Sequence, residues 1–435
     1  MNTLFNCSLW GDEAFSAILA QRPFWSMIKI VARDTSPPLF YIISFAWFKI
    51  FGSSEIAIRS LSFLFYLATA YIIYRIGKKL FNVKTGILAA ILTFLNPFLL
   101  PFAFEGRMYF CLLFFTALSF YFLISKNKWG FIISATAVLY SHHFAVFALM
   151  SQFIWQFIHQ ISAKSKFQLK KFITPYILIG IFYIPWLYPL YSQTQMVASG
   201  FWLGKPHTKD LVNIFFHFIK GKIVFPIQEK LVYLAGAILL LRRWSVKNLN
   251  NDFLLILWAV FPPLATFLIS QTSLSIFYER YLLYCIPPIM LLLASKIRKV
   301  SWVPLIMLFA IYFISSYHIF THPFKRPFRQ FASWIKENTS SQTFLINYNG
   351  GAHHLWESKY YQLQAPLYVS GQELPFYVGT AQMTNQDIVK NLPPVQKLGA
   401  ISSDKPALVK IRGYQEVSYH QTGSLYFIEF NKIPD

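Results

Sequence analysis

Acidic residues are scarce in this sequence. Of its 435 residues only 17 are Asp or Glu, against 39 Lys or Arg, and just nine of the acids precede residue 321. Cysteine is also rare. Cys7, Cys111 and Cys285 lie far apart and mostly in apolar runs, so the chain has no disulfide or metal framework built from cysteines. The first residues lack the basic start and the apolar core of a signal peptide.

Apolar residues, by contrast, make up 55% of the chain, with 46 Phe, 25 Tyr and 12 Trp. Runs of about 17–25 apolar residues predict membrane-spanning helices, because about 20 residues at helical rise cross the hydrocarbon core. Where two predicted spans share residues 129–162, a single broken helix around His142-His143 is the alternative. About ten spans are predicted, at 57–76, 85–104, 108–125, 129–145, 146–162, 172–191, 227–241, 253–270, 280–296 and 301–320.

The distribution of charge indicates which side of the membrane each loop faces. The net charge is +22, but residues 321–435 contribute only +3 of it, with 11 basic and 8 acidic residues. Most other basic residues form short clusters between apolar runs, which is typical of cytoplasmic loops. Eight of the nine early acids then face outward, with Asp252 the exception. The clusters are Arg75/Lys78/Lys79/Lys84, Lys126/Lys128, Lys164/Lys166/Lys170/Lys171, Arg242/Arg243/Lys247 and Lys296/Arg298/Lys299.

Three domains are expected. Residues 1–56 form an outer loop, with an amphipathic helix at 14–30 and a second helix at 39–51 that is too short to span and lies in the interface. Residues 57–320 form the transmembrane domain. Residues 321–435 become polar and predict a small extracytoplasmic α/β domain, with helices at 329–339 and 352–363 and strands at 343–348, 365–370, 407–414 and 424–430.

The N-terminal acids are the first candidate site, since carboxylates near membrane depth are costly to keep. Asp12 and Glu13 begin a predicted helix, where helix capping is the structural alternative. As a general base, Asp12 would take a proton from an attacking hydroxyl or amine. Asp34 precedes Thr35-Ser36-Pro37-Pro38, where capping the turn is its structural alternative.

A second group of candidates is cationic and aromatic. Glu105, Arg107 and Tyr109 occur at an outer boundary between two spans, and an arginine there suits a lipid phosphate, although an ion pair within the turn is the alternative. Arg280 begins another span at the outer side, where it is either a phosphate ligand or an interface anchor. In the pair formed by His142 and His143, one residue is a candidate phosphate or metal contact and the other is packing.

Nucleotide-binding signatures are missing: the sequence has no glycine-rich phosphate cradle, no Walker-type lysine and no GxSxG motif. An enzyme on the outer face must use a substrate that is already activated, such as a sugar on a polyprenyl phosphate. The leaving group of such a donor is an anion, so it needs cations more than it needs a general acid.

Five segments, in order, carry a resemblance to a known family: WGDEAFS, DTSPPLFYIISFAWFKIFGSSEIAIRSLSFLF, FEGRMYFCLL, LYSHHFAVF and YERYLLYCIPP. This order resembles the bacterial family-39-type glycosyltransferases of the GT-C superfamily, which are relatives of protein O-mannosyltransferases and of the aminoarabinose transferase that modifies lipid A. The resemblance implies that Asp12 is the catalytic base, that Asp34, Glu105 and Arg107 match further family positions, and that His142 lies in a family segment.

The resemblance also implies an inverting transfer from a polyprenyl-phosphate sugar to a protein, lipid or glycan acceptor, at the outer face of a bacterial inner or plasma membrane. Some relatives bind a divalent metal, and Glu105 and His142 are the candidate ligands here. Relatives mostly begin with a helix before the Asp-Glu loop, so we expect that a first helix is missing from this chain. A lipid-linked sugar flippase and a non-catalytic assembly protein remain the alternatives.

Overall fold

A computed structural model describes residues 3–162, 168–200, 202–221, 226–240, 249–272, 274–296, 302–348, 351–369 and 374–434. Its chain forms two compact units. One contains Ser36–Phe40 and Arg59–His322, and the other contains Asn2–Thr35, Tyr41–Ile58 and Pro323–Asp435. The N-terminal segment, expected as a domain of its own, therefore groups mainly with the C-terminal residues. Several of the basic clusters that set the predicted sidedness, including Lys164, Arg242 and Arg298, lie outside the described residues.

The first unit is helical, and each of the ten predicted spans coincides with helical structure. Several are broken: the predicted span 85–104 is divided at residues 95–99, and 280–296 begins with a 3₁₀ turn over Glu279–Cys285. Its helices are α4 (Glu55–Leu80), which starts in the other unit, α5 (Val83–Phe94), α6 (Leu100–Ala103), α7 (Tyr109–Ile124), α8 (Lys128–Ser141), α9 (Ala145–Ile161), α10 (Leu169–Tyr183), α11 (Leu187–Ala198), α12 (Thr208–Lys220), α13 (Pro226–Leu240), α14 (Leu249–Ile269), α15 (Ile286–Lys296) and α16 (Trp302–Thr321).

Length separates these helices into two classes. In the described part of the chain, four stretches are long and apolar enough to cross a membrane: Glu55–Leu80, Leu169–Ala198, Asn250–Ile269 and Val303–Thr321. The remaining predicted spans are shorter or broken helices. The figure of about ten therefore exceeds the number of continuous helices of spanning length, because hydropathy does not register a break inside an apolar run.

The helical structure over residues 129–162 is interrupted at the histidine pair. Residues 142–144 separate α8 from α9, and His142 has an extended backbone with φ −163° and ψ 142°. A break around His142-His143 is thus observed, and it fits two short spans as well as one broken helix.

In the second unit, the N-terminal segment forms α1 (Gly11–Ala20), α2 (Phe24–Arg33) and α3 (Leu39–Phe51). The prediction of one helix over 14–30 is wrong, because Pro23 caps α2 and has no N–H to continue α1. The second predicted helix, 39–51, is confirmed.

The C-terminal part of this unit is an α/β domain with helices α17 (Phe328–Asn338) and α18 (Gly351–Tyr360). Six strands form one mixed sheet in the order β3-β2-β1-β4-β6-β5. Pairing is parallel from β3 to β4 and antiparallel among β4, β6 and β5. The strands are β1 (Phe344–Tyr348), β2 (Leu367–Tyr368), β3 (Ile388–Val389), β4 (Lys397–Ser402), β5 (Tyr414–Thr422) and β6 (Leu425–Lys432).

One predicted strand is wrong and three observed ones were not predicted. Residues 407–413 form a 3₁₀ turn and irregular chain, although Val409 and Ile411 are buried beneath the sheet. Alternate burial produced the strand-like pattern without backbone pairing. Among the missed strands, β3 has only two residues and β5 is largely exposed, so neither carries a strong apolar signal.

Helix α1 packs against α18 within this unit. The ring of Phe15 meets that of Trp356 edge-on at 5.2 Å, and Gln382 donates from Nε2 to the Phe15 carbonyl oxygen at 3.2 Å. A Cβ on Gly11 would lie 2.6 Å from the Cβ of His353 and 2.7 Å from its Cα. The close approach of the two helices therefore requires glycine at position 11.

We expect Gly11→Ala to lower the free energy of unfolding by about 1–3 kcal/mol, because the new methyl group overpacks against backbone that cannot move independently. Thermal unfolding of the purified protein in detergent measures the change. Gly180→Ala is the matched control, since a Cβ there meets nothing within 4 Å. Equal melting temperatures for the two variants would contradict the packing described here.

Candidate functional site

Asp12 lies in the first turn of α1 and is partly accessible, with a side chain 22% exposed. Its Oδ1 is 3.8 Å from Nδ1 of His353, on α18. Trp10 stacks on the same imidazole, with ring centroids 5.9 Å apart. The buried indole N–H of Trp10 has no hydrogen-bond partner among the described residues. Asp12 is therefore a partly accessible carboxylate beside a histidine that stacks on Trp10.

Glu13, the next residue, has a different environment. It is fully buried and pairs with Nζ of Lys325 at 2.8 Å, the lysine side chain being only 4% exposed. The same Glu13 oxygen accepts the backbone N–H of Trp10 at 3.3 Å, which completes a capping box at the start of α1. This geometry favours the structural reading of Glu13. A catalytic role of Glu13 stays a prediction.

Asp34 caps the C-terminal end of α2 and is buried, and its backbone N–H donates to the Val31 carbonyl oxygen at 3.1 Å. It belongs to the same compact unit as Asp12 and Glu13. This backbone contact ends the preceding helix and is distinct from the capping of the following turn that the sequence suggested, so both that role and a direct part in chemistry stay predictions.

The C-terminal domain supplies residues that the sequence did not single out. His353 and Lys325 contact the Asp12-Glu13 pair, although the Lys325 contact joins residues 312 positions apart. Glu55 accepts hydrogen bonds from Arg329 at 2.8 Å and from the hydroxyl of Tyr361 at 3.0 Å. Burial raises the pKa of Tyr361, and the Glu55 carboxylate adds to that effect. The sequence signal was present only as a His-His pair on a predicted helix.

In the first unit, Glu105 and Arg107 form the turn between α6 and α7. The backbone N–H of Arg107 donates to the Glu105 carbonyl oxygen at 2.7 Å, and Ser62 Oγ donates to the same oxygen at 2.7 Å. Glu105 is buried, whereas the Arg107 side chain is half-buried. The two hydrogen bonds to the Glu105 carbonyl oxygen therefore fix the turn that carries Arg107.

Arg280 is held by aromatic rings. Its guanidinium lies 5.7 Å from the centroid of Tyr109, 5.0 Å from that of Tyr278 and 5.5 Å from that of Tyr281. Each is within cation–π range. Tyr109 interacts electrostatically with both Arg280 and Arg107, so both predicted phosphate ligands lie in its surroundings. These residues form what we term the arginine–tyrosine cluster: Arg107, Tyr109, Tyr278, Arg280 and Tyr281.

The two histidines of the pair have different surroundings, and the assignment of one of them to a phosphate or metal stays a prediction. His142 packs against Tyr281 at 5.1 Å and interacts electrostatically with Arg107 and Arg280, so it borders the arginine–tyrosine cluster. Its Nδ1 accepts the backbone N–H of Phe144 at 3.1 Å, which places the proton of the neutral ring on Nε2. His143 instead contacts Gln193, with 2.8 Å between Nε2 and Oε1.

The predicted residues therefore form two groups, each inside one compact unit. Asp12, Glu13 and Asp34 lie in one unit, and the phosphate-site candidates with Glu105 and Tyr109 lie in the other. Within the described ranges, no three His, Cys, Asp or Glu side chains lie together in a way that could hold a metal ion. The possible metal ligands Glu105 and His142 have no third partner of this kind there.

Part of the chain matches the model of a known protein family. The family model described as dolichyl-phosphate-mannose-protein mannosyltransferase matches residues 34–188, which is less than half of the chain. The matched segment contains Asp34, Glu105, Arg107 and His142 but not Asp12 or Arg280. A search of curated proteins finds no match.

Solved structures match over nearly the whole chain. ArnT from Cupriavidus metallidurans in the apo state aligns with a TM-score of 0.66 at 13% identity, over 98% of this chain and 95% of that one. The same protein bound to undecaprenyl phosphate aligns with a TM-score of 0.59 at 12% identity, over the same shares.

The resemblance to GT-C membrane glycosyltransferases is confirmed. The chain has the predicted fold class, a polytopic helical membrane protein with a small C-terminal α/β region. Together the matches support a membrane glycosyltransferase.

The structural role of Glu13 can be tested by substitution. We expect Glu13→Leu to cost about 3–5 kcal/mol of stability, because it leaves the buried Lys325 charge without its partner. Adding Lys325→Met should recover most of that loss, since the double variant buries no charge. Thermal unfolding in detergent measures both variants.

Lys359→Met is the comparison variant, since it breaks a 2.7 Å pair with Asp387 that is less buried than the Glu13–Lys325 pair, the lysine being 29% and the carboxylate 9% exposed. Its loss of stability should be smaller than that of Glu13→Leu, because water screens the partly exposed lysine. A double variant as unstable as Glu13→Leu would contradict the structural role assigned to the ion pair.

Proposed function

We propose that this protein transfers a sugar from a polyprenyl-phosphate donor to a protein, lipid or glycan acceptor at the outer face of the membrane. Asp12 acts as the general base in an inverting displacement. It takes a proton from the acceptor hydroxyl or amine while the acceptor oxygen or nitrogen bonds to the anomeric carbon. The bond from that carbon to the phosphate oxygen breaks, and the polyprenyl phosphate leaves as an anion.

The observation that carries the proposal is the contrast between two neighbouring carboxylates. Glu13 is sealed in an ion pair with Lys325, whereas Asp12 remains accessible. Different environments give adjacent acids different roles, and an accessible carboxylate is the one that can reach a substrate proton. His353, which is 3.8 Å from Asp12 and stacks on the Trp10 indole, supports this role because it can orient the carboxylate.

The donor class is supported by the cations in the other unit. Arg107 and Arg280 both interact electrostatically with Tyr109, and an arginine can bind a phosphate through two parallel hydrogen bonds. The Arg280 guanidinium lies over the faces of tyrosine rings. The structure of ArnT with undecaprenyl phosphate and the family described by its dolichyl-phosphate-mannose substrate make a lipid-phosphate sugar the best-supported donor.

The inner or plasma membrane of a bacterium is the proposed location, with the N-terminal acids and the C-terminal domain outside. The support is the positive-inside pattern and the apolar helices. Membranes supplied with radiolabelled polyprenyl-phosphate sugars test the activity as a whole. Transfer of label to a protein, lipid or glycan is expected, and its absence for every sugar tried would argue for the flippase or assembly alternative.

Asp12→Asn should reduce transfer by about 10²–10⁴-fold, the usual contribution of a general base, while the protein still folds and inserts. The measurement is initial transfer rate in membranes containing equal amounts of protein. Glu337→Gln, which removes an exposed carboxylate of the same unit, should retain full activity. Retained transfer in Asp12→Asn would remove Asp12 from the mechanism.

Arg107→Ala should raise the KM for the donor by about 10–100-fold, because a hydrogen bond to a charged group contributes about 1.5–3 kcal/mol. The KM for the acceptor should change little. Steady-state kinetics with each substrate varied in turn gives both values.

Arg75→Ala is the matched control for this arginine. It removes another arginine bonded to tyrosines, with 2.8 Å to the Tyr71 hydroxyl and 2.6 Å to that of Tyr121, at a position predicted to be cytoplasmic. Equal loss of donor and acceptor binding in Arg107→Ala would indicate a structural role for the turn.

A further inference from the structure

A cavity of about 320 Å³ lies in the first unit, apart from the residues predicted from sequence. Its walls come from the loop before α12, from α12 itself and from residues 277–279. The loop is fixed by two hydrogen bonds, from Gln271 Nε2 to the Pro206 carbonyl oxygen at 3.0 Å and from Ser275 Oγ to the Gly204 carbonyl oxygen at 2.7 Å. The cavity therefore has defined walls, and its size falls at the lower end of the range for small-molecule sites, about 300–1,000 Å³.

The cavity lining combines opposite charges, an amide and aromatic rings. His217 Nδ1 and Glu279 Oε2 are 2.7 Å apart, and their side chains are 43% and 41% exposed. Lys205, Asp210 and Asn213 add a cation, a carboxylate and an amide. An inorganic anion would face two carboxylates, and a simple cation would face the lysine. A neutral ligand with many hydroxyls suits this lining, because each hydroxyl both donates and accepts.

Tyr278 links the cavity to the arginine–tyrosine cluster. It lines the cavity, its ring centroid is 5.0 Å from the Arg280 guanidinium, and Trp202 packs edge-on against it at 5.1 Å. Glu279, the next residue, also lines the cavity, and Arg280 follows directly in sequence. A polar cavity and a proposed phosphate ligand thus share one wall.

From this juxtaposition we infer that the cavity binds a sugar ring, which belongs either to the donor or to the acceptor. The polar side chains bind its hydroxyls, and the aromatic wall covers its apolar face. This inference rests on the proposed function for the origin of the sugar. Recognition of a sugar by the cavity can be measured without turnover.

The test uses the full-length protein in detergent and a panel of methyl hexopyranosides and pentopyranosides, with binding followed by saturation-transfer difference NMR. At least one glycoside should bind, and Asn213→Ala and Glu279→Gln should each weaken its binding at least tenfold. Lys209→Ala, an exposed position on α12 that does not line the cavity, should leave binding unchanged. Failure of every glycoside to bind, or equal binding by all variants, would overturn the inference.

Transfer kinetics on the same variants separate the two sources of sugar. A rise in KM confined to the donor assigns the cavity to the donor sugar, and a rise confined to the acceptor assigns it to an acceptor glycan. If the wild-type protein binds glycosides through the cavity but transfers no sugar, the proposed function fails and the cavity assignment stands. If transfer occurs with both KM values unaltered in the variants, the cavity assignment fails alone.

Discussion

The buried ion pair between Glu13 and Lys325 is the constraint on which the N-terminal site depends. Two charges removed from water are stable only as a pair, so the first turn of α1 cannot leave the C-terminal domain without exposing or orphaning one of them. The same carboxylate caps the helix through the Trp10 N–H. One residue therefore fixes both the start of α1 and its attachment, and Asp12 is held in place as a consequence.

A different device orients the charges of the first unit. Arginine near an apolar environment needs compensation, and the rings of three tyrosines contribute to it at Arg280. A neutral ring makes this contribution without cancelling the charge of the cation.

Sequence reasoning found the acids, the arginines and the helical segments because each has a local signal: rarity of charge, position at the end of an apolar run, or hydrophobic length. It did not predict the breaks within apolar runs, as at residues 95–99, because hydropathy records how apolar the side chains are and not the direction of the backbone. The single helix predicted over 14–30 is interrupted at Pro23, although a proline is itself a local signal for the end of a helix.

Partnerships across the chain could not be read in the same way. No residue near Glu13 in the sequence predicts its contact with Lys325, and no local pattern distinguishes His353 from His354. The structure distinguishes these histidines by burial. His354 is sealed between Glu357 at 2.8 Å and Arg326 at 3.2 Å, while His353 stays exposed beside Asp12.

The C-terminal α/β domain is consequently part of the N-terminal site and not an appendage to it. It supplies Lys325, which neutralises Glu13, and His353, which faces Asp12. It also holds Glu55 at the far end of the same segment through Arg329 and Tyr361. Contacts at both ends of residues 12–55 mean that the order of this segment depends on the domain. The acidic segment needs the domain because a short helix with buried charge has little stability of its own.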